Sequence, residues 1–98
     1  MPKAIDFHVE ASAEVASAFD WYLEKNERVA FEFLEEIDDA IEKIARSPER
    51  WPVAYGNTRR YLLQRFPYAV VYREFPEIIQ VLAIAHGRRR AGYWKGRI

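Results

Sequence analysis

The chain has 98 residues, of which half are hydrophobic and 15% aromatic, the composition of one folded domain and not of a disordered segment. It has no cysteine, which excludes a disulfide scaffold and a thiolate metal site. Its formal net charge is zero, but residues 1–50 hold 6 Lys/Arg against 13 Asp/Glu and residues 51–98 hold 9 against 2, so an acidic half precedes a basic, anion-attracting half.

A domain of this size buries a modest share of its surface, so its stability is expected to be marginal unless a partner adds to it. The N-terminus, Met1-Pro2-Lys3-Ala4-Ile5, has no apolar leader segment. No apolar run approaches the ~18 residues of a membrane span. The expected location is the cytoplasm, with no membrane contact.

Ile5, Phe7 and Val9 alternate with Asp6 and His8, the period of a short half-buried strand. Ser12 is the expected N-cap of a first helix, with Glu14 in its first turn near the positive end of the dipole. Val15, Ala18, Phe19, Tyr22 and Leu23 follow at helical spacing, and the helix should stop near Asn26. A second helix is expected from Glu27, with Val29, Phe33, Ile37, Ile41 and Ile44 as its core stripe and Glu35, Glu36, Asp38, Asp39 and Glu42 on a solvated face. Ser47-Pro48 ends it, because proline cannot donate the next backbone bond. Helices joined this tightly form an antiparallel hairpin.

Pro48 to Asn57 reads as a loop. Three strands are expected after it, at about 59–65, 68–75 and 77–85, with links short enough to require antiparallel pairing. In the last, Ile78, Leu82 and Ile84 fall on one face and Ile79, Val81, Ala83 and Ala85 on the other. A strand apolar on both faces is central and covered on each side. The expected fold is α+β in the order β-α-α-β-β-β: a helical hairpin packed on a mostly antiparallel sheet, with residues 1–98 as one domain.

Eight of the nine cations after residue 50 are arginine, and Tyr61, Tyr68, Tyr72, Tyr93 and Trp94 are interleaved with them. Guanidinium forks match phosphate, and aromatic faces stack on unpaired bases; the same set also suits a protein-binding hot spot. His86 closes the last strand beside Gly87, where an imidazole could serve as general acid or base. His8 reads as a plain surface or cleft residue. The two histidines have neither each other nor a carboxylate at ligand spacing, so no metal site is expected. There is no nucleophile elbow and no glycine-rich phosphate loop.

Phe66-Pro67-Tyr68, Val71-Tyr72-Arg73 and the ending His86-Gly87-Arg88-Arg89-Arg90-Ala91-Gly92-Tyr93-Trp94, together with the hairpin before them, resemble the RelE/ParE superfamily. These are the toxins of bacterial type II toxin–antitoxin modules, often called plasmid-stabilisation proteins. The resemblance spans nearly the whole chain, with Ala91 where the family often has proline. It implies a cognate antitoxin partner, no cofactor, and one of two activities. One is metal-independent, ribosome-dependent cleavage of messenger RNA, with the ribosome and mRNA as partners. The other is inhibition of DNA gyrase without enzymatic activity; a non-toxic antitoxin-binding homologue is a further possibility.

For the endoribonuclease, the resemblance assigns His86, Arg88 and Tyr93 as catalytic residues. It assigns Arg60, Arg65, Arg89 and Trp94 to RNA or phosphate binding. Leu62 and Ala69 stand where well-studied nucleases carry a lysine and a phosphate-binding arginine, which leaves the gyrase-inhibitor branch open.

Overall fold

A computed structural model describes residues 2–98. Strand β1 (Ala4–Phe7) leads into helices α1 (Val9–Lys25) and α2 (Glu27–Arg46). A 3₁₀ turn over Pro48–Arg50 precedes strands β2 (Val53–Tyr55), β3 (Thr58–Leu62), β4 (Tyr68–Glu74) and β5 (Ile78–His86), and a 3₁₀ helix over Tyr93–Arg97 ends the chain. The five strands form one sheet in the order β1-β5-β4-β3-β2. β1 runs parallel to β5 and every other pair is antiparallel. The helical hairpin supplies the long crossover that the parallel pair requires. This is the α+β class read from the sequence, with one strand more.

That extra strand lies within the expected loop. β2 is three exposed residues at the sheet edge, too short for a periodicity signal. It is held by Thr58, whose Oγ1 donates to Tyr55 O and accepts from Tyr55 N. Gly56, at φ 54°, makes the turn that a side chain would disfavour.

The first helix starts earlier than expected. His8, not Ser12, is its N-cap: Nδ1 accepts the Glu10 N–H at 3.1 Å. Val9, read as a strand residue, is instead the first helical residue and is 76% exposed. Asn26 ends α1 and caps α2, with its Oδ1 accepting from Arg28 N and Val29 N. Glu36 does not lie on a solvated face. Its carboxylate accepts the Gln64 and Arg65 N–H groups and so anchors the loop between β3 and β4 to α2.

The helices cover one face of the sheet, where Phe33, Ile37 and Ile44 pack with Tyr61, Val70, Tyr72, Ile79, Val81 and Ile84. The Tyr72 hydroxyl donates to Pro48 O at 2.6 Å and pins the 3₁₀ turn to this core. On the other face Val71, Leu82 and Ala83 are covered by Trp94 of the terminal 3₁₀ helix. β5 is thus apolar on both faces because each has a cover, as its composition implied. Its face assignment differs from strict alternation. Val71 pairs with Ala83 but Tyr72 pairs with Val81, so Leu82 is one residue extra. This bulge puts Ile84 on the helix side with Ile79 and Val81, since an inserted residue shifts every later side chain to the opposite face.

Candidate functional site

The register across three strands lays out the face opposite the helices. One row reads Arg60, Val71, Ala83 and the next Leu62, Ala69, Ala85. Two alanines in the second row leave its floor low. Arg60 and Leu62 rise on one side, and the segment from His86 to Lys95 rises on the other. Between them lies a groove of about 300 Å³ lined by Arg60, Leu62, Tyr55, His86, Arg89, Arg90 and Lys95 among others. No carboxylate lines it, so its cations act on whatever enters it.

The C-terminal segment is shaped by a few local contacts. His86 Nδ1 accepts the Arg88 N–H at 3.0 Å, leaving Nε2 as the nitrogen turned to other partners. The imidazole lies edge-on to Tyr68, its neighbour across the ladder, with centroids 4.9 Å apart. Burial and the adjacent Tyr22 hydroxyl push the Tyr68 phenol up to about 12. Gly92 adopts φ 75° and turns the chain into the 3₁₀ helix. Lys95 Nζ sits 4.0 Å from the Tyr55 ring centroid, which fixes one wall of the groove.

Tyr93 is committed elsewhere. Its hydroxyl donates to Glu14 Oε2 at 2.7 Å, and Arg97 makes two further bonds to that carboxylate, at 2.8 and 2.9 Å. Glu14 also accepts the Ile84 N–H, and Arg97 donates to Leu82 O. β1 pairs with β5 only as far as Val81. Glu14 and Arg97 therefore satisfy the backbone of β5 where its neighbouring strand has ended. Burial alone would raise the Glu14 pKa, but bonds from Arg97, Tyr93 and Ile84 hold it below its ordinary 4.5. The Tyr93 phenol is pushed up by burial and by its bond to Glu14. The Arg97 pKa is raised chiefly by its bond to Glu14.

The residues expected at a site are not gathered in one place. Arg60, His86 and Arg89 line the sheet groove, while Arg88 is exposed on the turn after β5. Tyr93 reaches the groove with its ring, against which Arg89 packs at 3.8 Å, but its hydroxyl is in the Glu14 cluster. Trp94 is 6% exposed and forms the cover of the second core, while the Tyr55 and Tyr93 rings at the groove are packed by Lys95 and Arg89. Arg65 lies away from the groove, 3.7 Å from Glu36 and 3.8 Å from Glu32.

Sequence reasoning missed Glu14 and Arg97, which are 83 positions apart and form no local motif. It also missed a second concavity, of about 440 Å³, lined by Lys43, Arg50, Trp51, Arg60, Tyr61 and Leu62 among others. Arg50 stacks on Trp51 at 4.8 Å, and the Trp51 indole N–H is buried without an acceptor. Among the described residues no cluster of His, Asp or Glu could hold a metal ion, and no helix is long and apolar enough to cross a membrane.

A five-stranded sheet with a helical hairpin on one face and a short basic tail on the other defines a RelE/ParE-like toxin fold. Residues 5–91 match the family described as "ParE toxin of type II toxin-antitoxin system, parDE", and the chain belongs to that family. Among solved structures it is similar to a chain of the "Chromosomal ParDE TA system from P. aeruginosa". That match has a TM-score of 0.75 at 18% identity and covers 86% of this chain and 95% of the other. No curated protein matches it in sequence. Family membership implies an antitoxin partner.

Proposed function

We propose that this ParE-family toxin acts by binding a macromolecular target, as DNA gyrase inhibitors do, and not by cutting RNA. The observation that carries the reading is the Tyr93 hydroxyl. It is donated to Glu14 inside a cluster of four bonds, and withdrawing it for proton transfer would break one of the contacts that hold the C-terminal helix. The floor of the groove supports the same reading. Leu62 and Ala69 face each other across the ladder, where metal-free phosphoryl transfer would need cations beside the reacting phosphate. Arg60, Arg89 and Arg90 then serve as contact residues around a target surface. A cognate antitoxin neutralises the toxin, and both act in the cytoplasm.

The deciding experiment sets purified protein against DNA gyrase in a supercoiling assay, with ribosome-containing extract and a reporter mRNA in parallel. Inhibited supercoiling with intact mRNA is the expected result. Full supercoiling activity with cleaved mRNA would overturn the reading. The second reading, ribosome-dependent RNA cleavage, is favoured by His86, whose Nε2 is unengaged at the rim of the groove that holds Arg89. In that reading His86 transfers the proton, Arg88 and Arg89 meet the phosphate, and His86→Ala abolishes cleavage.

A further inference from the structure

Strand β3 has an outer edge that β2 covers only in part. β2 pairs with β3 at Thr58 and Arg59, and Pro52 O accepts the Arg60 N–H at 3.0 Å. Further along, the Leu63 N–H turns inward to Tyr68 O, and the Gln64 N–H turns outward to the Glu36 carboxylate. The N–H and C=O of one strand residue point to the same side. The Leu62 N–H and C=O therefore face outward between two tied positions, as does the Arg60 C=O, and no described group bonds them. Leu62 is 63% exposed, so this short edge is open, and an open edge is a template for another strand. It forms one side of the concavity of about 440 Å³ that Lys43, Arg50, Trp51 and Pro52 also line. Lys43, Arg50 and Arg60 make no ion pair among the described residues. Nearby cations are consumed by contrast: Arg46 bonds Glu42 on the same helix, and Arg65 faces Glu32 and Glu36.

We propose that an extended, acidic segment of the antitoxin adds a short antiparallel strand to this open edge of β3. A residue opposite Leu62 would exchange both bonds with it, and the residue two positions later would give its N–H to Arg60 O. The side chain between these two turns to the face of α2, where Lys43 lines the concavity. The later of the two lies beside Arg60. Carboxylates at those positions would meet cations that have no other partner. A polynucleotide could meet the cations, but it has no alternating peptide N–H and C=O to pair with the edge. The segment is assigned to the antitoxin because family membership implies that partner. A strand here would also cover Arg60 and Leu62, which form a wall of the sheet groove, so binding would block that groove. The assignment does not depend on which target the groove engages.

The test is amide hydrogen exchange of the full-length protein, alone and with its co-expressed antitoxin, beside affinities of variants for that antitoxin. The Leu62 amide should exchange fast in the free protein and slow by at least roughly tenfold in the complex. Leu62→Pro deletes the edge donor at a position where a strand tolerates proline, and Tyr61 already has the extended backbone that a residue before proline adopts. It should weaken antitoxin binding roughly tenfold. Leu62→Ala keeps the N–H and should cost less than about threefold. Lys43→Glu should weaken binding roughly tenfold, whereas Arg46→Glu, on the same helix outside the concavity, should leave it nearly unchanged. Circular dichroism confirms that each variant is folded. The proposal is overturned if the Leu62 amide exchanges equally fast with and without antitoxin, or if Leu62→Ala weakens binding as much as Leu62→Pro. It is also overturned if Arg46→Glu matches Lys43→Glu. Slowing of the Leu62 amide in the free protein as its concentration rises would assign the edge to a second copy of the chain instead.

Discussion

Two arginine–tyrosine clusters draw on the same basic C-terminal half, and they differ in what is left over. Around Glu14, the Tyr93 hydroxyl, the Arg97 guanidinium and two backbone groups of β5 are all satisfied by one another. Around Arg60, the cations of two joined concavities meet no carboxylate. Composition gives both clusters the same look. The first closes a strand edge and fixes the tail, and the second is open to a partner. Side-chain type therefore identifies candidates, and the bookkeeping of bonds separates structural from available groups.

The largest effect should come from removing the cover that the closed cluster holds in place. Trp94→Ala would open a void over Val71, Leu82 and Ala83 and cost about 3–5 kcal/mol, read as a lowered urea midpoint at unchanged slope. Next is Glu14→Ala. It leaves Arg97, whose side chain is 10% exposed, with only the exposed Glu10 carboxylate at 3.7 Å and strips the Ile84 N–H of its acceptor. The expected loss is about 2–3 kcal/mol. If thermal unfolding of this variant matches the wild type, the cluster is not what holds the tail.

Acid should dissolve the same contrast without a mutation. Glu14 is held below its ordinary 4.5 in the folded protein. The stability it contributes is therefore fully present above that unfolded value and is lost as pH falls through the lower folded pKa. Glu14→Gln should be less stable than the wild type at neutral pH, and the gap should close as the pH drops through that window. A gap that is constant with pH would mean that the carboxylate charge is not the stabilising element.

Much of the fold was legible because its signals are local. The helical stripes, the helix ends at Asn26 and Ser47-Pro48, and the doubly apolar β5 each follow from neighbours in sequence. What was not legible is set at long range. Leu82 becomes a bulge only because of how β4 lies beside it. The α1 start at Val9 depends on His8, whose N–H bonds Val81 O. For the candidate site, the sequence picked out Arg60, His86 and Arg89. It could not say that Trp94 turns inward, that Arg65 faces two glutamates, or that Lys43 from the acidic half joins a basic concavity. Net charge by halves averages over that last exception.

The smallest expected effect on stability sharpens the comparison most. Arg60→Glu replaces an exposed side chain that makes no hydrogen bond or ion pair among the described residues, so stability should change by no more than about 0.5 kcal/mol. Its effect on function should be large, because Arg60 is the one cation shared by the two concavities and the change reverses the charge where they meet. Arg65→Glu is the matched control on the same surface. It sets a carboxylate against Glu32 and Glu36, so it should lower stability by about 1 kcal/mol while leaving target binding alone. Growth arrest on induction, read beside urea midpoints, distinguishes the two. Arrest lost with Arg60→Glu and kept with Arg65→Glu places function in the open cluster. The reverse pattern would move it to the helical face.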